Sequence, residues 1–235
     1  MEKTDKSNEN LMRELFQTGA HYGYSSSRRH PSMKPVIFGS KNSVQIIDLE
    51  KTLEYLSEAL EFITQLGKEG KQILFVGSKA EAKAAIHETA TTLEQPYVTE
   101  RWIGGTLTNH KEIKKRVARL EKLEEEEAKG SLGVYTKKER LLFQREKEKL
   151  ATYFSGIRIL KETPDALFVV DPKHESIAIS EAQKCGVPVI ALMNLDCNMS
   201  EAKFPIPAND ASLKTIDFVL KKVVTAYQAG KTESR

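Results

Sequence analysis

Cysteine is scarce in this chain of 235 residues. Only Cys185 and Cys197 occur, too few for a disulfide framework or a four-thiolate zinc site. Long apolar runs are missing as well, and no uninterrupted stretch approaches the ~20 residues that a membrane-spanning helix needs. With 13 glycines and 8 prolines, a collagen-like or mucin-like chain is excluded. The first ten residues carry three acids and no apolar segment, so neither a secretory signal nor a transit peptide is expected. The cytoplasm is then the expected compartment, with reduced thiols. Disorder throughout is excluded by runs such as Ile73-Leu74-Phe75-Val76 and Ala166-Leu167-Phe168-Val169-Val170, which can build a core.

The net charge of +3 says little until it is divided along the chain. Residues 1–104 and 159–235 each sum to −1, whereas residues 105–158 hold 14 Lys/Arg against 9 Asp/Glu, a net +5. A second basic stretch lies within the first segment. Residues 21–41 contain Arg28, Arg29, Lys34 and Lys41, with His21 and His30 and no acid. A basic stretch without internal neutralisation is an electrostatic footprint for phosphate, although a solvated basic loop has the same composition.

The pattern of elements is α/β. Residues 1–10 read as a disordered leader and Leu11–Thr18 as a short helix. Residues 19–35 read as loop. Val36–Phe38 and Val44–Ile47 read as a hairpin turning at Gly39-Ser40-Lys41-Asn42. Asp48 caps a helix with Leu49, Leu53, Leu56, Leu60 and Ile63 on one face, ended by Gly67 and Gly70. Strands at Gln72–Val76, Tyr97-Val98, Ala166–Val170 and Val187–Leu192 then alternate with helices at Ser78–Thr91 and Ser176–Cys185. The order implies a mostly parallel sheet covered on both faces, a three-layer sandwich of Rossmann or flavodoxin type. Phe204-Pro205-Ile206-Pro207 suits only an edge strand. Leu213–Ala229 closes the fold, and residues 230–235 form a tail. The α/β domain is thus expected to be discontinuous, 11–104 and 159–229. Between its halves, residues 105–158 read as an inserted antiparallel coiled-coil hairpin. Thr108–Ala128 has a narrow apolar stripe, Lys129-Gly130-Ser131-Leu132-Gly133 breaks it, and Thr136-Lys137-Lys138-Glu139 is a capping box for a second helix.

Catalytic chemistry finds little support. Gly77-Ser78-Lys79 has one glycine where a dinucleotide fingerprint needs several, and no Walker A sequence occurs. Lys79 near a helix N-terminus could still hold a phosphate, but it reads better as an exposed lysine in a plain turn. Asp171, His174 and Glu175 have ligand chemistry, but a strand-end turn with Glu175 near a helix N-terminus explains them better. No serine or cysteine sits in a triad motif. Cys185 reads as a buried small apolar residue. No cofactor, metal or enzyme activity is expected.

Arg101-Trp102-Ile103-Gly104-Gly105-Thr106-Leu107-Thr108-Asn109 stands apart. The only tryptophan lies between a basic residue and a Gly-Gly turn. Glycines let backbone approach a partner, arginine grips phosphate, and tryptophan packs or stacks. Here the chain resembles the bacterial family of ribosomal protein two of the small subunit. Further blocks resemble it in family order: Gly19-Ala20-His21-Tyr22-Gly23, residues 31–39, Ile46–Thr52, Ile73–Lys79, Pro164–Asp171 and Gly186–Val189. The resemblance spans about residues 11–227. It implies an α/β/α sandwich with an inserted coiled-coil hairpin. It also implies binding to ribosomal RNA near the head–body junction and contact with neighbouring small-subunit proteins, in some bacteria including ribosomal protein one. Departures are Tyr24 where the family often has a second histidine, and Asn194 and Asn198 where it often has carboxylates. The expected RNA-binding set is His21, Arg28, Arg29, Lys34, Lys41, Arg101, Trp102, Gly104, Gly105, Asn109 and Lys111. A nucleotide-dependent enzyme on the same scaffold is the alternative, and a coiled-coil adaptor without an RNA role is a third reading.

Overall fold

The computed structural model describes residues 2–130 and 135–233. Helix α1 (Glu2–Thr18) leads into a small antiparallel sheet of β1 (Tyr22–Ser25), β2 (Ile37–Lys41) and β3 (Val44–Ile47), ordered β1-β3-β2. After α2 (Leu49–Lys68) come β4 (Ile73–Val76), α3 (Ala80–Leu93) and β5 (Tyr97–Val98). Helices α4 (His110–Ala128) and α5 (Lys137–Phe154) follow, then β6 (Ala166–Val170), α6 (Ser176–Cys185), β7 (Val189–Met193), β8 (Phe204–Pro207) and α7 (Leu213–Glu233). The large sheet is parallel throughout, in the order β5-β4-β6-β7-β8. It is the Rossmann-like α/β fold expected. Every residue of β4, β6 and β7 is buried, which is why these strands read as continuous apolar runs. Strand β8, which contains Pro205 and Pro207, lies at an edge, where missing N–H donors cost no ladder bonds.

The alternation of side chains divides the core. Ile73, Phe75, Phe168, Val170, Ile190 and Leu192 belong to one cluster with residues of α1, α2, α3 and α7. Leu74, Val76, Leu167, Val169, Ala191 and Met193 belong to the other, with α6 and with Met33, Val36 and Ile47 beside the small sheet. A fully buried Leu or Phe contributes about 2–3 kcal/mol. Ile113, Leu120 and Leu123 of α4 and Leu150 and Phe154 of α5 also join that second cluster. The two helices are linked by ion pairs Arg119–Glu146 and Glu127–Lys147, while Glu124 pairs with Arg158 just beyond α5. The capping box at Thr136 and Glu139 is formed. Residues 131–134 of the expected helix break lie outside the described residues.

Several expectations are corrected. The segment 2–10 continues α1 rather than forming a separate leader, because it holds no glycine or proline to stop the helix propagating from its packed end. Residues 22–25 form β1 within the expected loop. The β2–β3 hairpin turns at Asn42-Ser43, both with positive φ, since a two-residue turn of this kind matches strand twist. Helix α2 runs through Gly67, and α7 runs through Gly230 to Glu233. A Cβ on Gly67 would fall 2.3 Å from the Tyr227 carbonyl, and one on Gly230 would fall 2.1 Å from that of Thr64. These glycines admit a close helix crossing and are not stop signals. Cys185 is exposed at the end of α6, and Cys197 is the buried thiol.

Candidate nucleic-acid interface

Both sequence-selected segments lie beyond the carboxyl ends of the parallel strands, the usual ligand side of an open α/β sheet. Residues 101–111 follow β5. Residues 21–36 are fastened to the loop after β7: the His30 N–H donates to the Leu195 carbonyl at 2.8 Å, and the Met199 N–H to Ser32 Oγ at 3.0 Å. Met33 and Val36 anchor the segment from below, fully buried. His30 caps a short 3₁₀ turn at Pro31–Val36. Arg28, Lys34 and Lys41 are thus exposed on a braced backbone, with Arg29 half-buried. The Arg28 guanidinium lies 5.8 Å from the Tyr24 ring centroid. His21 is buried, stacked on Phe16 at 4.4 Å, and burial lowers its pKa. β5 and β7 are three strand spacings apart, about 14 Å, so the two segments flank one edge.

Within the second segment, Arg101, Gly104, Asn109 and Lys111 are exposed and Gly105 half-buried. Gly105 has φ +95°, a conformation that favours glycine. Trp102 is only 4% exposed, so its ring is part of the core and not an open stacking face. Among the described residues none of Arg28, Arg29, Lys34, Lys41, Arg101 and Lys111 is in an ion pair.

The residue that shapes this segment escaped the sequence reading. Glu181 of α6 is buried. Its Oε1 accepts from the Trp102 indole at 3.2 Å and the Gly105 N–H at 2.7 Å. Its Oε2 accepts from the N–H groups of Leu107 at 3.0 Å and Thr108 at 3.1 Å, and from Thr108 Oγ1 at 3.2 Å. Burial pushes its pKa up, but these donors outweigh burial and hold it below the usual carboxylate value. Nothing in Ser180-Glu181-Ala182 marks it, because its partners lie more than 70 residues away.

Lys79 is not an exposed turn lysine. Its ammonium is 3.3 Å from Asp171 and 3.2 Å from the fully buried Asp210, and these charges raise its pKa against burial. Asp171 adopts φ +62°, and Asn194 Nδ2 donates to Asp210 Oδ1 at 3.1 Å. Two carboxylates share one ammonium. Burial, then the Asp171 charge, pushes the Asp210 carboxyl up to about 6. A carboxyl raised on folding stabilises fully below its unfolded pKa of about 3.9 and loses that contribution as pH rises through about 6. An Asp210→Asn variant, which cannot ionise, should therefore gain about 2 kcal/mol relative to the parent between pH 4 and pH 7.5. Urea unfolding at both pH values measures this, and parallel stability curves would refute it.

The turn after β6 is closed in a similar way. Glu175 Oε1 accepts from the Ser78 N–H at 3.0 Å and from the Ser78 hydroxyl, and lies 3.1 Å from His174 Nδ1. The chain's own carboxylate thus takes the Ser78 N–H in the turn between β4 and α3, the turn that meets a bound phosphate in a nucleotide-binding protein of this fold. Ser78 and Glu175 both approach the same ring nitrogen of His174, so no relay from serine through imidazole to acid is formed.

Comparison with known proteins agrees with the sequence blocks. A family model described as ribosomal protein S2 matches residues 15–230. The chain is 41% identical over 224 residues to the small ribosomal subunit protein uS2 of Helicobacter hepaticus, covering 95% of this chain and 85% of that one. It is 42% identical over 220 residues to the uS2 protein of Wolinella succinogenes, covering 94% and 81%, and 43% identical over 220 residues to that of Salinispora arenicola, covering 93% and 79%. A match over this much of the chain, with the Gly-Gly turn and the basic segment inside it, makes the chain a member of the ribosomal protein S2 family.

Proposed function

We propose that the chain is a structural constituent of the small ribosomal subunit, binding ribosomal RNA near the head–body junction and meeting neighbouring small-subunit proteins. The observation that carries this reading is a braced set of arginines and lysines, without carboxylate partners among the described residues, in a chain of the S2 family. Phosphate supplies the missing counter-charge. Sedimentation of the tagged protein from a lysate tests it. The protein should travel with the small subunit in low salt and leave it in high salt, and a protein found wholly free in low salt would overturn the reading.

The competing reading, a nucleotide-dependent enzyme, is disfavoured by Glu175. Calorimetric titration with ATP, GTP, NAD and FMN should give no saturable heat at micromolar affinity, because a carboxylate already takes the Ser78 N–H and Gly77-Ser78-Lys79 lacks the repeated glycines of a phosphate-binding turn. Stoichiometric binding of any one of them would restore the enzyme reading. Among the described residues no helix is long and apolar enough to cross a membrane.

Residues 105–158 act in this proposal as an inserted coiled-coil arm that extends the RNA contact. The buried residues of α4 and α5 set where it can be cut. Replacing 125–145 with a short Gly/Ser linker spares Ile113, Leu120, Leu123, Leu150 and Phe154. Leu123 and Lys147 line one small cavity, so the linker has little distance to span. This variant should lose helical circular dichroism, keep one cooperative melt and bind the subunit more weakly. Full affinity would show that the outer arm is not a binding element. Replacing 110–155 removes all five buried residues and should cost about 2–5 kcal/mol for each of several large side chains, enough to unfold a domain of ordinary stability.

A further inference from the structure

We propose that the groove between α1 and α2 receives a lysine- or arginine-rich amphipathic helix of a neighbouring small-subunit protein; the proposal rests on the small-subunit reading above. The groove is a cavity of about 580 Å³. Leu11 and Met12 of α1 and Leu53, Leu56 and Leu60 of α2 give it an apolar lining. Leu56 is buried, whereas the other four are only half-buried. Glu50, Glu54 and Glu58 also line the groove and are exposed. They recur at i, i+4 and i+8, so they form one row along α2, about 12 Å long.

The row has no counter-charge within the described chain. Among the described residues none of Glu50, Glu54, Glu58 and Glu61 is in an ion pair. Lys51, the only cation between residues 50 and 61, donates to the Pro35 carbonyl. Lys222, which also lines the groove, is paired with Glu14 at 3.8 Å. Like charges four residues apart destabilise a helix. Glu50 is favoured at the start of α2, but Glu54 and Glu58 lie beyond the first turn. Chemistry selects the occupant. Carboxylates repel phosphate, so RNA does not fit this row. The groove also lies across the large sheet from the basic segments: α1, α2 and α7 pack on one face, whereas Met33, Val36 and Trp102 pack on the other. A bare cation would leave the leucines in water. An amphipathic helix satisfies both features, laying apolar side chains on the leucines and aligning Lys or Arg with the row.

The test uses the full chain assembled into small subunits. The photoreactive residue p-benzoylphenylalanine is placed at Ser57 in the groove or at Glu61 beside it, both exposed. Irradiation and mass spectrometry of the cross-linked peptides should join both positions to one small-subunit protein. The joined segment should carry Lys or Arg and apolar residues at helical spacing. Glu54→Gln with Glu58→Gln should cut the cross-linking yield roughly two- to thirtyfold, the range for two exposed ion pairs. Glu54→Lys with Glu58→Lys should abolish it. The melting temperature of the glutamine variant should not fall, because like charges leave one helix face. Cross-links to ribosomal RNA, cross-links to a segment that is not basic, subunits that contain the chain but give no protein cross-link, or a yield unchanged by the glutamine pair would each overturn the docking site and leave the small-subunit reading intact. A chain that stays out of the small subunit in low salt would overturn that reading, and the docking site with it.

Discussion

Replacing Glu181 with alanine should lower the melting temperature by about 10–15 °C, at 2–4 °C per kcal/mol for a chain of this size. The carboxylate receives the Trp102 indole, three backbone N–H groups and one hydroxyl. Alanine leaves these donors without an acceptor, and a buried unpaired donor costs about 1–3 kcal/mol. Water reaching the loop recovers part of that loss, which leaves about 3–5 kcal/mol. Glutamine should not rescue. Each carboxylate oxygen is already used by at least two donors, and the amide would turn an NH₂ toward one set. Trp102 is the only tryptophan, so its emission reports this loop alone and should shift to the red in the variant. Because folding lowers the Glu181 pKa, its contribution is present above the unfolded carboxylate pKa and is lost as pH falls through the folded value. A variant melting within two or three degrees of the parent, with unchanged emission, would remove Glu181 from its assigned role.

Neutralising Arg28, Arg29 and Lys34 together, as glutamines, should weaken RNA binding by about a hundredfold near 0.1 M salt. It should also flatten the slope of log K against log salt by about two units, at roughly 0.7 per phosphate contact with single-stranded RNA. Arg28 and Lys34 are exposed, Arg29 half-buried, and none of the three is in an ion pair among the described residues, so the fold should keep its melting temperature. The effect should be uniform across RNA sequences, because phosphate contacts position without specifying. An unchanged slope would remove this patch from the interface. A slope change with a large loss of stability would show instead that the arginines brace the loop.

The large sheet was legible because its causes are local. Four buried residues in a row, Ile73–Val76, or five, Ala166–Val170, can hardly be other than interior strands when helices alternate with them. The basic segment and the Gly-Gly turn were legible for the same reason, since charge and glycine are properties of neighbouring residues. The extent of the α2–α7 crossing was not. Gly67 looks like a helix stop until Tyr227 is brought against it. Strand β1 was hidden because Tyr22–Ser25 lacks the alternation of a half-buried strand and gains its bonds from β3. Asn42-Ser43 took the turn because strand twist favours a two-residue loop there.

The same division runs through the candidate site. Composition alone determined that residues 21–41 are cationic and that Gly105 can turn the chain. Only the tertiary structure decided that Trp102 faces inward, that Glu181 holds its loop, that Glu175 closes the turn before α3 through Ser78, and that Lys79 is locked between Asp171 and Asp210. Each of these depends on a partner between 70 and 131 residues away. A sequence displays periodicity and charge within a segment. The approach of two segments is set by which apolar faces must be buried together, and that becomes defined only when the sheet is assembled.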